Sequence, residues 1–256
     1  MAKRLEGEIA MKFLEQHWET LNQPRAYAGM PRGDTGAHGF MAPWVHDNVN
    51  MDMMERAIRI LKPCVIIELG TFEAWGTVRM ASVMDSYLLD EQVGLLYTFD
   101  AGDAPVNSLG IDYGCAATFE DEPLVDWKRF DPKHPCAKGW KSWKAIMKMR
   151  DKRLAQKFKN VKITFIKGLT YDTLPETMFE LGGWDFCFQD TLHRPEHMIP
   201  EWKLFRDYAH IGSVVVFDDV DWRNEEFVEW MKKNELTWDL RVTKIGHGQL
   251  WAEKIK

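Results

Sequence analysis

Three aspartates follow two apolar segments of the sequence, and together they could bind a cation. Asp190 comes shortly after the predicted strand 184–188, and Asp218 and Asp219 directly follow the predicted strand 213–217. A predicted helix joins the two strands, so they should run parallel and end at one edge of a sheet. Closely packed carboxylates raise one another's pKa unless a cation compensates, and oxygen ligands suit Mg²⁺ or Ca²⁺. The pattern predicts a divalent metal site; the alternative is a helix cap plus a solvated turn.

His193 stands three positions after Asp190 and could exchange a proton near neutral pH. As a general base it would accept the proton of a metal-bound hydroxyl. His197 lies one helical turn further on, so both histidines could instead bind a transition metal with Asp190. In a third interpretation, His193 only forms a hydrogen bond within its loop. The sequence favours the base and leaves the other two roles open.

A second candidate site lies where a short apolar strand ends in glycine. Residues 65–67 are β-branched and apolar, and Glu68, Gly70 and Gly76 interrupt them before a segment that can be helical. In a parallel sheet this junction lies at the edge where ligands bind, and glycine lets a nucleotide approach the backbone. The glycine spacing fits neither the dinucleotide fingerprint nor a phosphate-binding loop. The carboxylate of Glu68 suits a ligand with a positive charge.

Asp100 points to an adenosine cofactor, because it ends the predicted second strand, 95–99. An acidic residue at that position accepts hydrogen bonds from ribose hydroxyls in doubly wound sheets, although a turn or helix cap is the alternative. The alternation over 161–166 predicts a third strand, and 168–175 is predicted to be the loop after it. The adenine ring would lie near that loop.

Further elements are needed to position these sites, and apolar spacing indicates where they lie. Helices are expected within 1–22 and over 47–61, 77–89, 195–208 and 224–234. Pro63 and Gly212 are expected to interrupt the chain between elements. Residues 238–244 and 249–254 are expected to form a closing β-hairpin. Residues 24–43 are rich in glycine and proline and form either a lid or a plain linker. Residues 103–160 exceed the length of one crossover helix. Their aromatic and basic residues favour a pocket-shaping insertion with a basic helix over a nucleic-acid platform.

The composition of the 256-residue chain is that of a globular protein, with 45% hydrophobic and 28% charged residues. A net charge of −6 argues against a general nucleic-acid binder. The absence of long apolar runs and of a signal-peptide core predicts a cytoplasmic protein without a membrane segment. Four cysteines without C-x-x-C spacing are expected to be reduced. The Met, Trp and Phe content is compatible with an apolar pocket or a homo-oligomer face.

Two stretches resemble known enzymes. Residues 64–79 resemble the first motif of the class I S-adenosylmethionine (SAM) methyltransferases. Residues 184–193 and 214–220 resemble the metal-dependent small-molecule O-methyltransferases, in the branch of the cephalosporin hydroxylase and the macrolide and aminocoumarin sugar O-methyltransferases. The resemblance covers roughly residues 44 to 256. It implies a Rossmann-like, doubly wound sheet of seven mostly parallel strands, with an N-terminal helical cap over 1–60 and a SAM-binding domain over 61–256.

The resemblance also implies roles for individual residues. The residues expected to hold SAM are Glu68, Gly70 and Gly76 at its methionine part and Asp100 at its ribose, together with Thr71, Ala101, Gly168 and Asp190. The metal, Mg²⁺ or another divalent cation, is expected on Asp190, Asp218 and Asp219. In the sugar-methylating branch an acid stands two positions after the metal aspartate, but this chain has Leu192 there. His193 occupies the offset of the catalytic lysine in the more distant catechol O-methyltransferase, so the identity of the base stays open.

These expectations together predict a SAM-dependent, metal-assisted O-methyltransferase. Its substrate would be a small hydroxylated molecule such as a sugar diol, a catechol or another natural-product intermediate, with no nucleic-acid partner. Three rivals share parts of this pattern. They are a SAM-binding enzyme that is metal-independent or catalyses a dehydration or pericyclic step, a nicotinamide oxidoreductase, which the missing glycine fingerprint disfavours, and a non-catalytic scaffold.

Overall fold

A computed structural model describes residues 12–22, 43–71, 74–100, 143–191, 193–220, 224–243 and 248–256. Its helices are α1 (Phe13–Leu21), α2 (Pro43–Leu61), α3 (Trp75–Asp85), α4 (Trp143–Leu154), α5 (Thr170–Leu181), α6 (Pro195–Phe205) and α7 (Glu225–Asn234), with a short 3-10 helix at Arg206–Tyr208. Its strands are β1 (Val65–Leu69), β2 (Gly94–Asp100), β3 (Val161–Lys167), β4 (Trp184–Gln189), β5 (Ala209–Phe217), β6 (Trp238–Thr243) and β7 (Gln249–Lys254).

The seven strands form one sheet in the order β3-β2-β1-β4-β5-β7-β6. Strands β1 to β5 pair in parallel, and β7 is antiparallel to both β5 and β6. The sheet is therefore mostly parallel, as the sequence predicted. The chain runs outward from β1 through β2 to β3 and then returns to β4 on the other side of β1. At such a reversal the loops beyond the strand ends diverge, and this opens a crevice for ligands.

The central strands are apolar on both faces because helices cover the sheet on both sides. In β1, Ile66 packs in the core with Met54 of α2 and Met80 of α3. Its neighbour Ile67 packs on the opposite face with Trp202 of α6. Successive side chains of a strand point to opposite faces, so a run of apolar residues fills both layers of core at once. This burial holds the strand ends, and hence the candidate sites, in fixed register.

Two local predictions are wrong. Residues 168–175 were expected to be a loop, but α5 begins at Thr170 and carries Pro175 in its interior. Pro175 removes one helical amide, yet the buried face formed by Leu174, Thr177 and Met178 keeps the segment helical. Gly212 was expected to break the chain before β5. It lies inside β5 instead, with φ +85°, where the pairing with β4 shifts register.

Helix α1 is attached to the last strand of the sheet. The amide groups of Phe13 and Leu14 donate to the two carboxylate oxygens of Glu253 at 2.7 and 2.8 Å. The ring of Trp18 packs edge to face against Trp251 at 6.4 Å between centroids. One carboxylate therefore satisfies two of the amides that a helix leaves unpaired at its start.

Several predictions concern regions beyond these elements. The lid or linker over 24–43 and the first part of the 103–160 insertion lie almost entirely outside the described residues, so the division near residue 60 stays a prediction. Cys64 and Cys187 are free thiols, and Cys115 and Cys136 lie outside the description, so the expectation of four reduced cysteines stays a prediction. Within the described ranges, no helix is both long enough and apolar enough to cross a membrane.

Candidate functional site

The acidic residues after β4 and β5 meet at the carboxyl edge of the sheet. The two strands are parallel neighbours, with Gln189 opposite Phe217. The amide of Asp190 donates to the carbonyl of Leu69 at 2.8 Å, and the amide of Asp218 donates to the carbonyl of Gln189 at 3.0 Å. These backbone bonds extend the pairing one residue beyond each strand, so the aspartates leave the sheet side by side.

His193 lies between two of these carboxylates. Its Nε2 atom is 3.3 Å from Oδ1 of Asp190 and 3.5 Å from Oδ2 of Asp219. Burial alone would lower the pKa of His193, but the hydrogen bond with Asp190 and the charges of Asp190, Asp219 and Asp218 raise the pKa to about 9. The imidazole is thus held mainly in its protonated form between the two carboxylates.

Asp218 differs from its neighbour Asp219 in its hydrogen bonds and in its backbone conformation. Desolvation, together with the charges of Asp190 and Asp219, raises the pKa of Asp218 well above its usual range. Its Oδ1 accepts a hydrogen bond from Nε2 of Gln249 on β7 at 3.0 Å. Asp219 adopts a left-handed backbone with φ +52°, and its carbonyl accepts from Nδ2 of Asn224 at 3.1 Å. An aspartate tolerates this conformation at a cost, and such strain is typical of functional turns.

The structure meets only part of the geometry that a metal site requires. The three acids converge, but among the described residues no three His, Cys, Asp or Glu side chains are arranged as ligands of one ion. His193, His197 and Asp190, all within the described residues, are not arranged as such a set either. His197 contacts α5 through Tyr171, whose hydroxyl donates to the carbonyl of His197 at 3.0 Å. The described residues therefore form no ready ion site, and metal binding stays a prediction.

Gly70 is the point where the two candidate sites touch. Its φ is +97°, and a Cβ there would lie 2.0 Å from the carbonyl oxygen of Asp190. The amides of Gly70 and Thr71 both donate to the carbonyl of Phe99, at 2.9 and 3.0 Å. The sequence explained this glycine by the approach of a nucleotide. The structure gives another reason, since the backbone of the β4 turn fills the space that a side chain would need.

Glu68 is buried behind this loop, with 1% of its surface exposed. Its Oε2 accepts a 2.6 Å hydrogen bond from the hydroxyl of Thr98 and another from the hydroxyl of Thr77. Gly76 is required here as well, because a Cβ would lie 2.6 Å from Oε1 of Glu68. Burial raises the pKa of Glu68 to about 8, against the two hydroxyl bonds that lower it. The carboxylate joins β1, β2 and α3, a contact that sequence reasoning missed.

Asp100 and Gly168 lie together at the ends of β2 and β3. The amide of Gly168 donates to the carbonyl of Asp100 at 3.0 Å, and Gly168 has φ +146°. The charges of Asp190 and Asp100 both contribute to the raised pKa of Glu68, so the three carboxylates act on one region. Ala101 lies outside the described residues. Asp100 and Gly168 thus lie on the same edge of the sheet as the acids, and their contacts with ribose and adenine stay predictions.

Glu201 is a further buried acid near the site, and sequence reasoning missed it. It is 3% exposed and accepts hydrogen bonds from the hydroxyls of Thr170 and Thr191 and from the amide of Gln189. Burial raises the pKa of Glu201 above its usual range. A signal was present in the sequence, since Glu201 lies on the same helical face as Met198 and Phe205, both of which are buried.

Comparison with known proteins agrees with this architecture. The model of the family described as "Methyltransferase domain" matches residues 67–220, more than half of the chain. A Staphylococcus aureus protein assigned as a caffeoyl-CoA O-methyltransferase is 13% identical with a TM-score of 0.51, over 80% of this chain and 82% of that one. The SAH-bound methyltransferase PaMTH1 of Podospora anserina is 14% identical with a TM-score of 0.50, over 95% and 88%. No curated protein matches the chain. The predicted Rossmann-like methyltransferase fold is confirmed.

Proposed function

This chain belongs to the methyltransferase-domain family, and we propose that it transfers the methyl group of SAM to a hydroxyl group of a small molecule. The observation that carries the proposal is the contact between the two candidate sites. The glycine turn after β1, expected beneath the cofactor, packs directly on the backbone of Asp190. A methyl donor on one side of this contact would therefore lie next to the acids and the imidazole on the other.

The cofactor side offers negative charge to a cationic ligand. The charges of Asp100 and Asp190 both raise the pKa of the buried Glu68, which is about 8, so at neutral pH the negative charge of this region comes mainly from the two aspartates. SAM carries a sulfonium and an ammonium group, so a region with several carboxylates favours it over an anionic nucleotide. The positive charge on sulfur disappears as the methyl group moves. The protein must therefore mainly align the two reactants and supply a deprotonated oxygen.

His193 is the residue proposed to take the proton. Because Nε2 faces Asp190 and Asp219, at 3.3 and 3.5 Å, it would keep its own proton. The other ring nitrogen, Nδ1, would accept the proton of the acceptor hydroxyl, and the two carboxylates would stabilise the imidazolium that forms. The same carboxylates raise the pKa of His193 to about 9, so at neutral pH most molecules already carry that proton. Proton transfer to His193 therefore starts from the minor neutral form.

Metal assistance and the acceptor class are the finer parts of the proposal. Asp190, Asp218 and Asp219 are the candidate ligands, but His193 and Gln249 already occupy positions around them. Cation binding would have to replace some of these contacts. We propose sugar diols and catechols as the first acceptors to screen, because neighbouring oxygens could bind the same acidic edge.

The test begins with calorimetric titration of the purified protein with SAM and SAH. Binding is expected in the micromolar range typical of cofactor sites, about 1 to 100 μM. The titration is repeated with Mg²⁺ and after EDTA, on the wild type, on Asp218→Ala and on Asp207→Asn. Asp207 is an exposed acid near the opposite end of β5 and serves as the matched control. Acceptors are then screened by release of SAH.

Each outcome decides a different part of the proposal. Failure of the wild type to bind SAM or SAH would contradict the cofactor assignment. Cofactor binding together with Mg²⁺ binding that Asp218→Ala alone abolishes would support the metal-assisted transferase. Cofactor binding without Mg²⁺ binding would overturn metal assistance and leave a metal-independent enzyme. A product that lacks the added methyl group would favour the non-methylating alternative.

A further inference from the structure

We propose that Glu201 is a positioning residue whose single carboxylate holds together the turn that carries Asp190 and the start of α5 beside the cofactor region. This inference rests on the proposed function, because it assigns the two held segments to the acceptor side and the cofactor side of one reaction. Glu201 itself lies on α6 and is 3% exposed, so it acts through other residues.

Glu201 contacts the acceptor side through the two residues that flank Asp190 in the sequence. Oε2 of Glu201 accepts from Nε2 of Gln189 at 2.5 Å and from the hydroxyl of Thr191 at 2.7 Å. Nε2 of Gln189 also donates to the hydroxyl of Thr191 at 3.0 Å, which closes a triangle. The residues immediately before and after Asp190 are thus fixed to one point.

This fixed point acts on both strand ends. The amide of Asp218 donates to the carbonyl of Gln189 at 3.0 Å, so a displacement of Gln189 would move Asp218 as well as Asp190. The carbonyl of Asp190 lies where a Cβ of Gly70 would be, which leaves the turn no free space on that side. Glu201 therefore binds the turn through hydrogen bonds, and the close backbone at Gly70 limits its movement on the other side.

The contact to the cofactor side begins α5. Oε1 of Glu201 accepts from the hydroxyl of Thr170 at 2.5 Å, and Thr170 is the first residue of that helix. Gly168, two residues earlier, donates its amide to the carbonyl of Asp100. The two oxygens of one carboxylate consequently divide between the two sides. Oε1 serves the segment near Asp100, and Oε2 serves the segment around Asp190.

An apolar residue could not replace this group. The three donors converge on a buried point, and without acceptors the amide of Gln189 and two hydroxyls would lose their partners. Glu201→Gln is a milder change, because the amide oxygen can accept from the Oε2 partners while the amide nitrogen donates to Thr170. The side chain is thus needed here for its two hydrogen-bonding positions, and its charge is secondary.

The variants separate the two arms. Glu201→Leu removes both the contact of Oε1 with Thr170, the cofactor arm, and the contacts of Oε2 with Gln189 and Thr191, the acceptor arm. Glu201→Gln keeps most of both. Thr170→Val removes only the cofactor arm, and Thr191→Val removes one of the two donors of the acceptor arm. Thr177→Val is the matched control, since its hydroxyl donates to a carbonyl within α5 at 2.9 Å and makes no contact with Glu201. Two quantities are measured: the Kd for SAH by calorimetry, and hydrogen exchange at the amides of Asp190 and Asp218.

The two threonine variants at Thr170 and Thr191 are expected to change different quantities. Glu201→Leu should weaken SAH binding about tenfold and speed exchange at both amides about tenfold, while Glu201→Gln should stay within about threefold. Thr170→Val should weaken SAH binding about threefold or more and leave exchange at Asp190 unchanged. Thr191→Val should speed that exchange and leave the Kd for SAH within about twofold. Thr177→Val should leave both within about twofold.

Other patterns would overturn the proposal. It is wrong if both threonine variants change the same quantity, or if exchange increases equally throughout the chain, because that would indicate only a general loss of stability. If Glu201→Leu does not fold, the two threonine variants decide, since each deletes one hydroxyl. If the wild type binds no SAH, the proposed function fails, and exchange at Asp190 in Thr191→Val still decides whether Glu201 holds the turn.

Discussion

On the β1 and β2 side of the sheet edge Glu68 is surrounded by hydroxyl groups, whereas on the β4 and β5 side Asp190 and Asp219 face the imidazole of His193. Both sides place carboxylates in poorly solvated positions. The first relieves the cost by hydrogen bonds and a raised pKa, and the second by a nearby cationic group. The first side thus carries contacts that organise structure, and the second holds the groups that the proposed proton transfer requires.

The largest expected effect comes from the residue between the two sides. Gly70→Ala would bring a Cβ to within 2.0 Å of the carbonyl oxygen of Asp190 and would strain a backbone with φ +97°. We expect a loss of at least about 3 kcal/mol in the free energy of unfolding. Gly182→Ala is the control, because its φ is +68° but no atom lies within 4 Å of the added Cβ. It should cost only about 1 kcal/mol in urea unfolding. Equal losses in the two variants would contradict the proposed contact.

The second effect concerns the proton carrier. His193→Asn should lower kcat for methyl transfer about 100- to 10,000-fold, because the acceptor hydroxyl would lose its base. The Kd for SAH should change little, since His193 lies on the acceptor side. His210→Asn is the control, as His210 is exposed and lies near the other end of the sheet. A His193→Asn variant with unchanged kcat, assayed with an acceptor from the screen, would remove His193 from the reaction.

The third effect is a pH dependence of stability on the Glu68 side. Burial raises the pKa of Glu68 from an ordinary 4.5 to about 8, so between these values the folded chain holds a proton that the unfolded chain releases. Stability from this group is complete below pH 4.5 and is lost as the pH rises through about 8. The slope should approach about 1.4 kcal/mol per pH unit. Urea unfolding from about pH 5.5 to about pH 8.5 should show a flatter profile for Glu68→Gln, and an unchanged profile would contradict the shift.

The smallest effect tests a single hydroxyl on the same side. Thr77→Val removes one of the two hydroxyl donors to Glu68 and should cost about 1 kcal/mol of stability. Turnover should fall less than about twofold, because the contact lies behind the loop. Thr177→Val, which loses a hydroxyl bond within α5, gives the reference for a donor outside the site. If Thr77→Val instead reduced turnover as strongly as His193→Asn, the division between an organising side and a reactive side would be wrong.

The sequence was sufficient for much of the fold, because apolar runs mark buried strands and chain order constrains how parallel strands connect. The convergence of Asp190 with Asp218 followed from that reasoning and agrees with the structure. Residues 168–175 were misjudged because Gly168 and Pro175 resemble loop residues. The segment is helical from Thr170 onward because Leu174 and Met178 pack in the core.

The side-chain partners were harder to predict. The donors around Glu68 and Glu201 come from other strands and helices, 9 to 31 residues away, so no period of a single helix or strand connects them. Gln249, which donates to Asp218 from the last strand, is another example. Pairing of this kind depends on sheet order and register, which a single sequence specifies only once the strands are assembled.

The attachment of α1 to Glu253 has a consequence for how the protein is made. The partners in this contact are 240 residues apart, so the first amides of α1 have no acceptor until β7 has been synthesised. Contacts between such distant residues form late and slow the approach to the native state. Until β7 has been synthesised, the apolar side chains of α1, including Leu14 and Leu21, cannot pack against it. Closure of the N-terminal helix onto the sheet should therefore be among the last steps of folding.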